Sequence, residues 1–107
     1  MPANPKHGEV WLADMGLAGK LRPVVVVLAD GLAVERTLIV HVPITTQNRG
    51  SVLEVGLGHL SFLLPESVAN AQAIGALPAA RFERRLGVLP PEDLDRVKEA
   101  IRTACGL

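Results

Sequence analysis

The sequence predicts a small, mainly β domain of the α+β class, with its clearest helix at the C-terminus. The chain has 107 residues, which is the length of one typical domain. Hydrophobic residues make up 49% of it but aromatic residues only 3%, so Val, Leu, Ile and Ala must build the core. The strand-like segments follow one another without helices between them, unlike a doubly wound sheet. We expect one domain, residues 1–107, with a strongly curved antiparallel sheet or barrel and a helix packed on it.

The strands are predicted from composition and from turn residues. Residues 8–14 have strand-like composition and are followed by a glycine-bearing loop. Four consecutive valines within residues 24–28 are typical of a buried strand that is covered on both faces. An Asp30-Gly31 turn and a polar loop over residues 45–50 separate the next segments. The predicted strands are residues 8–14, 24–28, 36–43, 51–55 and 72–77.

Helical structure is predicted in two places. Pro78 can begin a helical turn that runs through Arg85 and ends at Gly87. The clearer helix spans residues 92–105, because two prolines and acidic residues precede it and Gly106 ends it. Its apolar residues at helical spacing are Leu94, Val97, Ile101 and Ala104 or Cys105.

The charge balance and the single cysteine exclude several classes of protein. Eleven Lys and Arg residues match eleven Asp and Glu residues, which argues against a binder that coats nucleic acid through bulk positive charge. A local basic groove is still compatible with that balance. Cys105 cannot form an internal disulfide or a cysteine zinc site, so a reducing, cytosolic setting fits best. No apolar run reaches about 18 residues and no signal peptide is present, so we expect a soluble intracellular protein.

The familiar catalytic motifs are missing from the sequence. It contains no glycine-rich phosphate loop, no His-Glu-x-x-His motif and no cysteine cluster. His7, His41 and His59 are scattered, and a surface or strand-end role is favoured for each, so we expect no metal site. Glu83 lies among arginines and fits a solvated helix face better than an acid catalyst.

Two loops carry the residues that are best suited to ligand binding or catalysis. Lys20 and Arg22 flank the end of the first loop and Arg49 lies in the second, and both loops border the valine-rich strand or its neighbour. Hairpin geometry can therefore bring these cations to one end of the sheet as an anion site. Arginine suits phosphate, and hydroxyls and amides suit the base edges of single strands. The neighbouring hydroxyls and amides belong to Thr45, Thr46, Gln47 and Asn48. Loops are usually polar, and on composition alone that simpler interpretation is favoured.

The order of five segments favours a functional site over ordinary polar loops. They are Lys6-x-Gly8-Glu9-Val10-Trp11-Leu12-Ala13-Asp14, Arg22-Pro23-Val24-Val25-Val26, Val42-Pro43-Ile44-Thr45-Thr46-Gln47, Ser67-Val68 with Arg81, and Leu86-Gly87-Val88-Leu89 before the closing helix. Together they resemble the MazF/PemK family of toxins from bacterial toxin–antitoxin pairs. The resemblance implies an SH3-like small β-barrel, of the type that MazF, PemK and CcdB toxins share, with a C-terminal α-helix. It also implies a cytoplasmic homodimer.

The resemblance further implies an activity and a partner. The expected activity is metal-independent, sequence-specific cleavage of single-stranded RNA, with mRNA as the target and no cofactor. Arg22 would be the catalytic arginine and Thr45 its hydroxyl partner, and the products would be a 2′,3′-cyclic phosphate and a 5′-hydroxyl. We expect RNA contacts from Lys20, Thr46, Gln47, Asn48 and Arg49. A cognate antitoxin with an acidic, partly disordered tail would occupy the RNA groove.

Two features depart from the family pattern. The first loop, residues 16–21, is short, and Gly75 stands where many members carry an arginine on a late strand. These departures favour two alternatives, a non-catalytic toxin of the same fold that inhibits a protein such as DNA gyrase, or a degenerate paralogue that binds antitoxin. The presence of both Arg22 and Thr45 favours the enzyme.

Overall fold

The computed structural model describes residues 4–16 and 20–107 and consists of seven antiparallel strands followed by one long helix. The predicted mainly β fold with a C-terminal helix is confirmed. Residues 17–19 of the predicted first loop lie outside the described residues, as do residues 1–3. The elements are β1 (Glu9–Asp14), β2 (Leu21–Val26), β3 (Leu38–Thr45), β4 (Glu54–Gly56), β5 (Val68–Asn70), β6 (Gly75–Pro78), β7 (Phe82–Val88) and α1 (Pro91–Cys105).

The strand order is β4-β5-β3-β2-β1-β7, with β6 paired to the first half of β3. β3 is the central strand, because one of its edges pairs with β2 and the other with β6 and then β5. In the β2–β3 ladder, Val24 lies opposite Pro43 and Val26 lies opposite His41. The start of β2 and the end of β3 therefore meet at one end of the sheet.

The valine-rich strand is covered on both faces, as predicted. Val25 belongs to the cluster beneath α1, where it is joined by Val97 of that helix. Val24 and Val26 belong to a second cluster on the opposite face, with Phe82 of β7. All three valines are fully buried. Successive side chains of a strand point to opposite faces, so one run of valines supplies both clusters.

The helical turn predicted over residues 78–85 is wrong except for a short 3-10 turn at Ala79–Arg81. Residues Phe82–Val88 form β7, which pairs with β1 and lies at the end of the sheet. Glu83 is therefore an exposed residue of a strand and does not lie on a helix face. Phe82 is 3% exposed in the second cluster. Strand pairing and the burial of Phe82 outweigh the local preference of this charged segment for a helical turn.

Other boundaries also differ from prediction. β4 and β6 begin three residues later than the predicted strands 51–55 and 72–77, and a 3-10 turn at Ala71–Ala73 precedes β6. The three-residue strand β5 was not predicted. The terminal helix is confirmed, and Gly106 ends it at a φ of 69°, where glycine is favoured. Cys105 is exposed and does not continue the apolar face. No helix in the described part of the chain is long and apolar enough to cross a membrane.

The loop over residues 57–67 folds back on itself between β4 and β5. The Leu57 amide donates to the Ser67 carbonyl at 2.9 Å, which closes the loop. Phe62 lies over β7 at Gly87, and a Cβ at Gly87 would lie 2.5 Å from the Phe62 ring. His59 anchors the loop to α1, because its Nε2 lies 3.1 Å from both carboxylate oxygens of Asp93.

Candidate active site

The two residues expected to carry catalysis come together at the junction of β2 and β3. Arg22 is the second residue of β2 and Thr45 is the last residue of β3. The register that places Val24 opposite Pro43 would, two residues further, place Arg22 opposite Thr45. Both side chains line a concavity of about 330 Å³, which we call the catalytic concavity. Its lining residues are Met15, Lys20, Arg22, Pro43, Ile44, Thr45, Thr46 and Gln47.

Five of the seven predicted site residues thus share one concavity. Arg49 lies next to it in a second, more polar concavity of about 450 Å³, which we call the polar concavity. The lining residues there are Thr45, Gln47, Arg49, Ser51, Glu54, Asn70 and Gln72. Asn48 lines neither concavity. Its Oδ1 accepts the Gly50 amide at 2.8 Å within the loop.

The Thr45 hydroxyl can donate a hydrogen bond to a ligand in the catalytic concavity. Its Oγ1 accepts the Gln47 amide at 3.1 Å, so that N–H occupies one of the oxygen's lone pairs. A hydroxyl has one proton to donate, and an acceptor that enters the concavity can receive it. Arg22 is exposed, and no carboxylate among the described residues lies within ion-pair distance of it. Its planar set of N–H donors is therefore available to an anion.

A third concavity, of about 360 Å³, adjoins the other side of Arg22 and Thr45. All three concavities include Thr45 in their lining, and we call them together the groove. We call the third one the apolar concavity, because leucines and Phe62 dominate its lining, with Arg84 among them. Arg84 was not among the residues that we expected at the site. Arg84 lies opposite Leu12 in the β1–β7 ladder, and that pairing brings it to the groove. Residues 82–88 carry three consecutive charged residues and no alternating pattern, so the sequence offered no local signal for this strand.

The other arginines of the C-terminal third are paired with carboxylates. Arg85 contacts Glu9 at 3.1 Å, and Arg96 contacts Asp93 at 2.7 Å. Arg81 lies 3.6 Å from Asp14, and Arg102 lies 3.0 Å from Glu99. Within residues 4–16 and 20–107, the groove cations have no such partner; they are Lys20, Arg22, Arg49 and Arg84.

Two carboxylates outside the groove have lowered pKa values. Burial alone would raise the pKa of Glu9, but hydrogen bonds from the Trp11 indole, the Lys6 amide and Arg85 lower it overall. Burial would also raise the pKa of Asp93, which is 3% exposed, but Arg96 and His59 lower it. Both carboxylates are therefore held in the ionised form as structural partners.

The histidines do not gather around the groove. The surface or strand-end role expected for His41 is wrong, since it lies buried in the middle of β3. Its ring centroid lies 6.4 Å from that of Phe82 in an edge-to-face arrangement. Burial lowers the pKa of His41, although a hydrogen bond to the Ile39 carbonyl opposes that shift. In the part of the chain that the structure describes, no three His, Cys, Asp or Glu side chains are grouped to hold a metal ion.

Comparison with known proteins identifies the family. The family model of PemK-like, MazF-like toxins of type II toxin–antitoxin systems matches residues 6–105. The chain belongs to this family. The MazF fold predicted from the motifs, a small β-barrel with a C-terminal helix, is thereby confirmed.

Relatives of known name and structure cover nearly the whole chain. Two Mycobacterium tuberculosis proteins, named probable endoribonuclease MazF2 and MazF5, are each 32% identical to it. They align with 94% and 97% of this chain and with 98% and 95% of their own lengths. An endoribonuclease solved in complex with its cognate antitoxin, from a mycobacterial species, superposes with a TM-score of 0.85 at 26% identity, covering 97% of both chains. The Mycobacterium tuberculosis toxin MazF-mt6 gives a TM-score of 0.81 at 26% identity, covering 92% of this chain and 97% of its own.

Proposed function

We propose that this MazF-like toxin is an endoribonuclease that cuts single-stranded RNA at the catalytic concavity. The observation that carries the proposal is the shared position of an unpaired guanidinium, Arg22, and a hydroxyl, Thr45, in one open concavity. The names of the 32% identical relatives support the same activity. We assign mRNA in the bacterial cytoplasm as the target.

The reaction is an attack of the RNA 2′-oxygen on the adjacent phosphorus. The P–O bond to the 5′-oxygen of the next nucleotide breaks, which leaves a 2′,3′-cyclic phosphate and a 5′-hydroxyl. The 2′-hydroxyl proton passes to solvent, and the leaving 5′-oxygen takes a proton from solvent. Arg22 stabilises the negative charge that builds on the phosphate oxygens, because a guanidinium barely titrates and acts through its fixed donors.

Thr45 contributes orientation. Its oxygen is held by the Gln47 amide, so its proton can be donated to a non-bridging phosphate oxygen beside Arg22. Lys20 lines the same concavity and adds positive charge for the RNA backbone. We assign further RNA contacts to Thr46, Gln47, Asn48 and Arg49.

An acidic antitoxin tail is the proposed inhibitor of a homodimeric toxin. Such a tail would place carboxylates on the unpaired Arg22 and Arg84, and apolar side chains in the apolar concavity between them. It would thus cover the reacting groups and the exposed leucines of the groove together; Leu21 and Leu64 are 44% and 60% exposed. A segment that folds on binding suits an extended groove of this kind.

The decisive experiment incubates the purified protein with a long single-stranded RNA in EDTA and maps the new ends. We expect discrete cuts bearing cyclic phosphate, and a loss of about 10²- to 10³-fold in rate for Arg22→Ala, the scale seen when one preorganised donor is removed. Arg36→Ala is the matched control, because Arg36 is also exposed but lies in the β2–β3 connection at the other end of the sheet.

Three outcomes contradict the proposal. Intact RNA after incubation with folded protein favours the non-catalytic toxin. Cleavage that stops when EDTA is added shows that a metal takes part. Equal rates for Arg22→Ala and Arg36→Ala remove Arg22 from the reaction.

A further inference from the structure

The polar concavity lies directly beside the reacting groups. Thr45 and Gln47 line both it and the catalytic concavity. An RNA strand whose phosphate contacts Arg22 and Thr45 therefore has a nucleotide at the entrance of the polar concavity. What this concavity accepts depends on its charge and on its free hydrogen-bonding groups.

The polar concavity is lined by one carboxylate, Glu54, and one cation, Arg49, so it lacks the excess positive charge that would favour a second phosphate over a base. Glu54 lies in its lining, and its Oε1 accepts the Ser51 amide at 2.8 Å and the Arg49 amide at 3.1 Å. These bonds hold the carboxylate in place. A fixed negative charge repels phosphate at short range. The RNA backbone is thus expected to follow Lys20 and Arg22, while an uncharged base faces Glu54.

The hydrogen-bonding groups of this concavity suit a base edge. Asn70 Oδ1 accepts the Gln72 amide at 3.2 Å, so the side-chain NH₂ of Asn70 is left to donate outwards. Among the described residues, the side-chain amides of Gln47 and Gln72 make no protein hydrogen bond. A free amide presents an N–H donor beside a carbonyl acceptor. It can therefore form two hydrogen bonds with a base that carries an acceptor beside a donor.

Stacking does not contribute at this position. Trp11 and Phe82 pack in the second core cluster, and Phe62 lines the apolar concavity. The residues lining the polar concavity include no aromatic ring. Recognition there must act through the edge of a base.

We infer that the polar concavity is a base-reading subsite in which Asn70, Gln72 and Glu54 select one nucleotide next to the cleaved phosphate. On its Watson–Crick edge, the favoured base carries an exocyclic amine beside a ring-nitrogen acceptor, as adenine and cytosine do. Its amine lies towards the Glu54 carboxylate, which would repel the corresponding carbonyl oxygen of uracil or guanine. This inference rests on the proposed ribonuclease function.

The test maps the cleavage sites of wild type and variants on one long RNA of mixed sequence. We expect the wild-type sites to share adenine or cytosine at one position beside the cut. Gln72→Ala should reduce the preference at that position about ten-fold or more, the discrimination of a lost two-bond contact, while other positions keep theirs. Four oligonucleotides that differ only at that position then separate adenine from cytosine.

Further variants keep the result independent of folding. Asn70→Asp retains the acceptor for the Gln72 amide but replaces the donor with a negative acceptor, so it should also lose the preference. Lys20→Ala should slow cleavage at all sites alike and flatten the salt dependence, as expected for a phosphate contact. Asn4→Ala removes an amide that lines a separate concavity beside the β2–β3 connection and should change nothing.

The outcomes separate this inference from the ribonuclease itself. If wild type cleaves RNA and Gln72→Ala and Asn70→Asp keep its sequence preference, the subsite is refuted and the ribonuclease stands. A wild-type preference for uracil or guanine at the position that these variants alter also overturns it. If folded wild type leaves RNA intact, both proposals fall.

Discussion

The groove and the rest of the molecule use the same kinds of charged residue in opposite ways. Away from the groove, Arg85 of β7 and Arg96 of α1 contact Glu9 and Asp93, two carboxylates that are 8% and 3% exposed. At the groove, Arg22 and Lys20 line an open concavity with no carboxylate partner among the described residues. The paired cations hold strands and helix together, whereas the unpaired ones are available to a ligand. A formal net charge of zero therefore conceals a division between structural and binding charges.

Exchanging arginine for lysine should separate the two regions most strongly. Arg22→Lys keeps the charge but loses the planar set of donors, so we expect cleavage to slow by about 10- to 100-fold. Arg85→Lys keeps a cation opposite Glu9 at a half-exposed position, and its rate should stay within about two-fold of wild type. Initial rates on a labelled single-stranded RNA measure both. Wild-type activity in Arg22→Lys would mean that charge alone suffices in the groove.

Substitutions at the start of α1 should lower the stability of the fold. Asp93→Asn weakens the contacts to His59 and Arg96 that tie the 57–67 loop to α1, and we expect a loss of about 1–3 kcal/mol in the free energy of unfolding. Glu99→Gln is the matched control on the same helix, because its pair with Arg102 is exposed and should contribute less than about 0.5 kcal/mol. Urea denaturation measures both variants, and equal midpoints would show that the buried carboxylate has no special role.

The pH dependence of stability should reveal the buried histidine on β3. Burial lowers the pKa of His41 below its ordinary value of 6.5, so the unfolded chain takes up the proton first as the pH falls. Stability should thus decrease from pH 7.5 towards pH 5, and less so in His41→Leu. The lowered pKa values of Glu9 and Asp93 add a loss only at lower pH, because their ordinary values are 4.5 and 3.8. Denaturation at several pH values gives the two slopes, and parallel slopes contradict the assignment to His41.

Gly75→Arg gives the smallest expected effect. A Cβ at Gly75 would meet its neighbours, the Ala73 carbonyl and the His41 ring, at 3.8 and 3.9 Å, so the position has room for a side chain. The variant introduces the arginine that the family resemblance predicts at this position, and we expect it to strengthen RNA binding by a few-fold, with a slightly steeper salt dependence. Binding to a non-cleavable RNA at two salt concentrations tests it. Unchanged affinity would show that an arginine at this position does not contact RNA in this chain.

The parts of the fold that follow from local pattern could be predicted from the sequence. The run of valines predicted a strand buried on both faces, and Val24, Val25 and Val26 lie in such a strand, although β2 ends at Val26 and not at residue 28. The prolines and Gly106 predicted the bounds of the terminal helix. The segment over residues 78–88 was assigned wrongly, because its charges and flanking glycine favour a helical turn locally. Its conformation is decided by pairing with β1, some seventy residues away in sequence. The same long-range pairing places Arg84 in the groove.

The proximity of Arg22 and Thr45 was predictable because it depends on two strands that are neighbours in sequence. Arg22 lies near the start of β2 and Thr45 at the end of β3, so the antiparallel register of these strands brings the two residues together. The polar concavity could not be anticipated, since Asn70 and Gln72 reach it through the three-residue strand β5 and a 3-10 turn. Elements that short leave almost no periodicity in a sequence.

The contact between Gly87 and Phe62 has a consequence for genetics. Any side chain at Gly87 must displace the Phe62 ring, and that ring forms part of the groove wall. A selection for bacteria that survive expression of a toxic chain should therefore recover substitutions at Gly87 as well as at Arg22. The survivors with a changed Gly87 would carry a folded but misshapen groove. A substitution at position 87 can thus abolish toxicity although this position is far in sequence from the reacting groups.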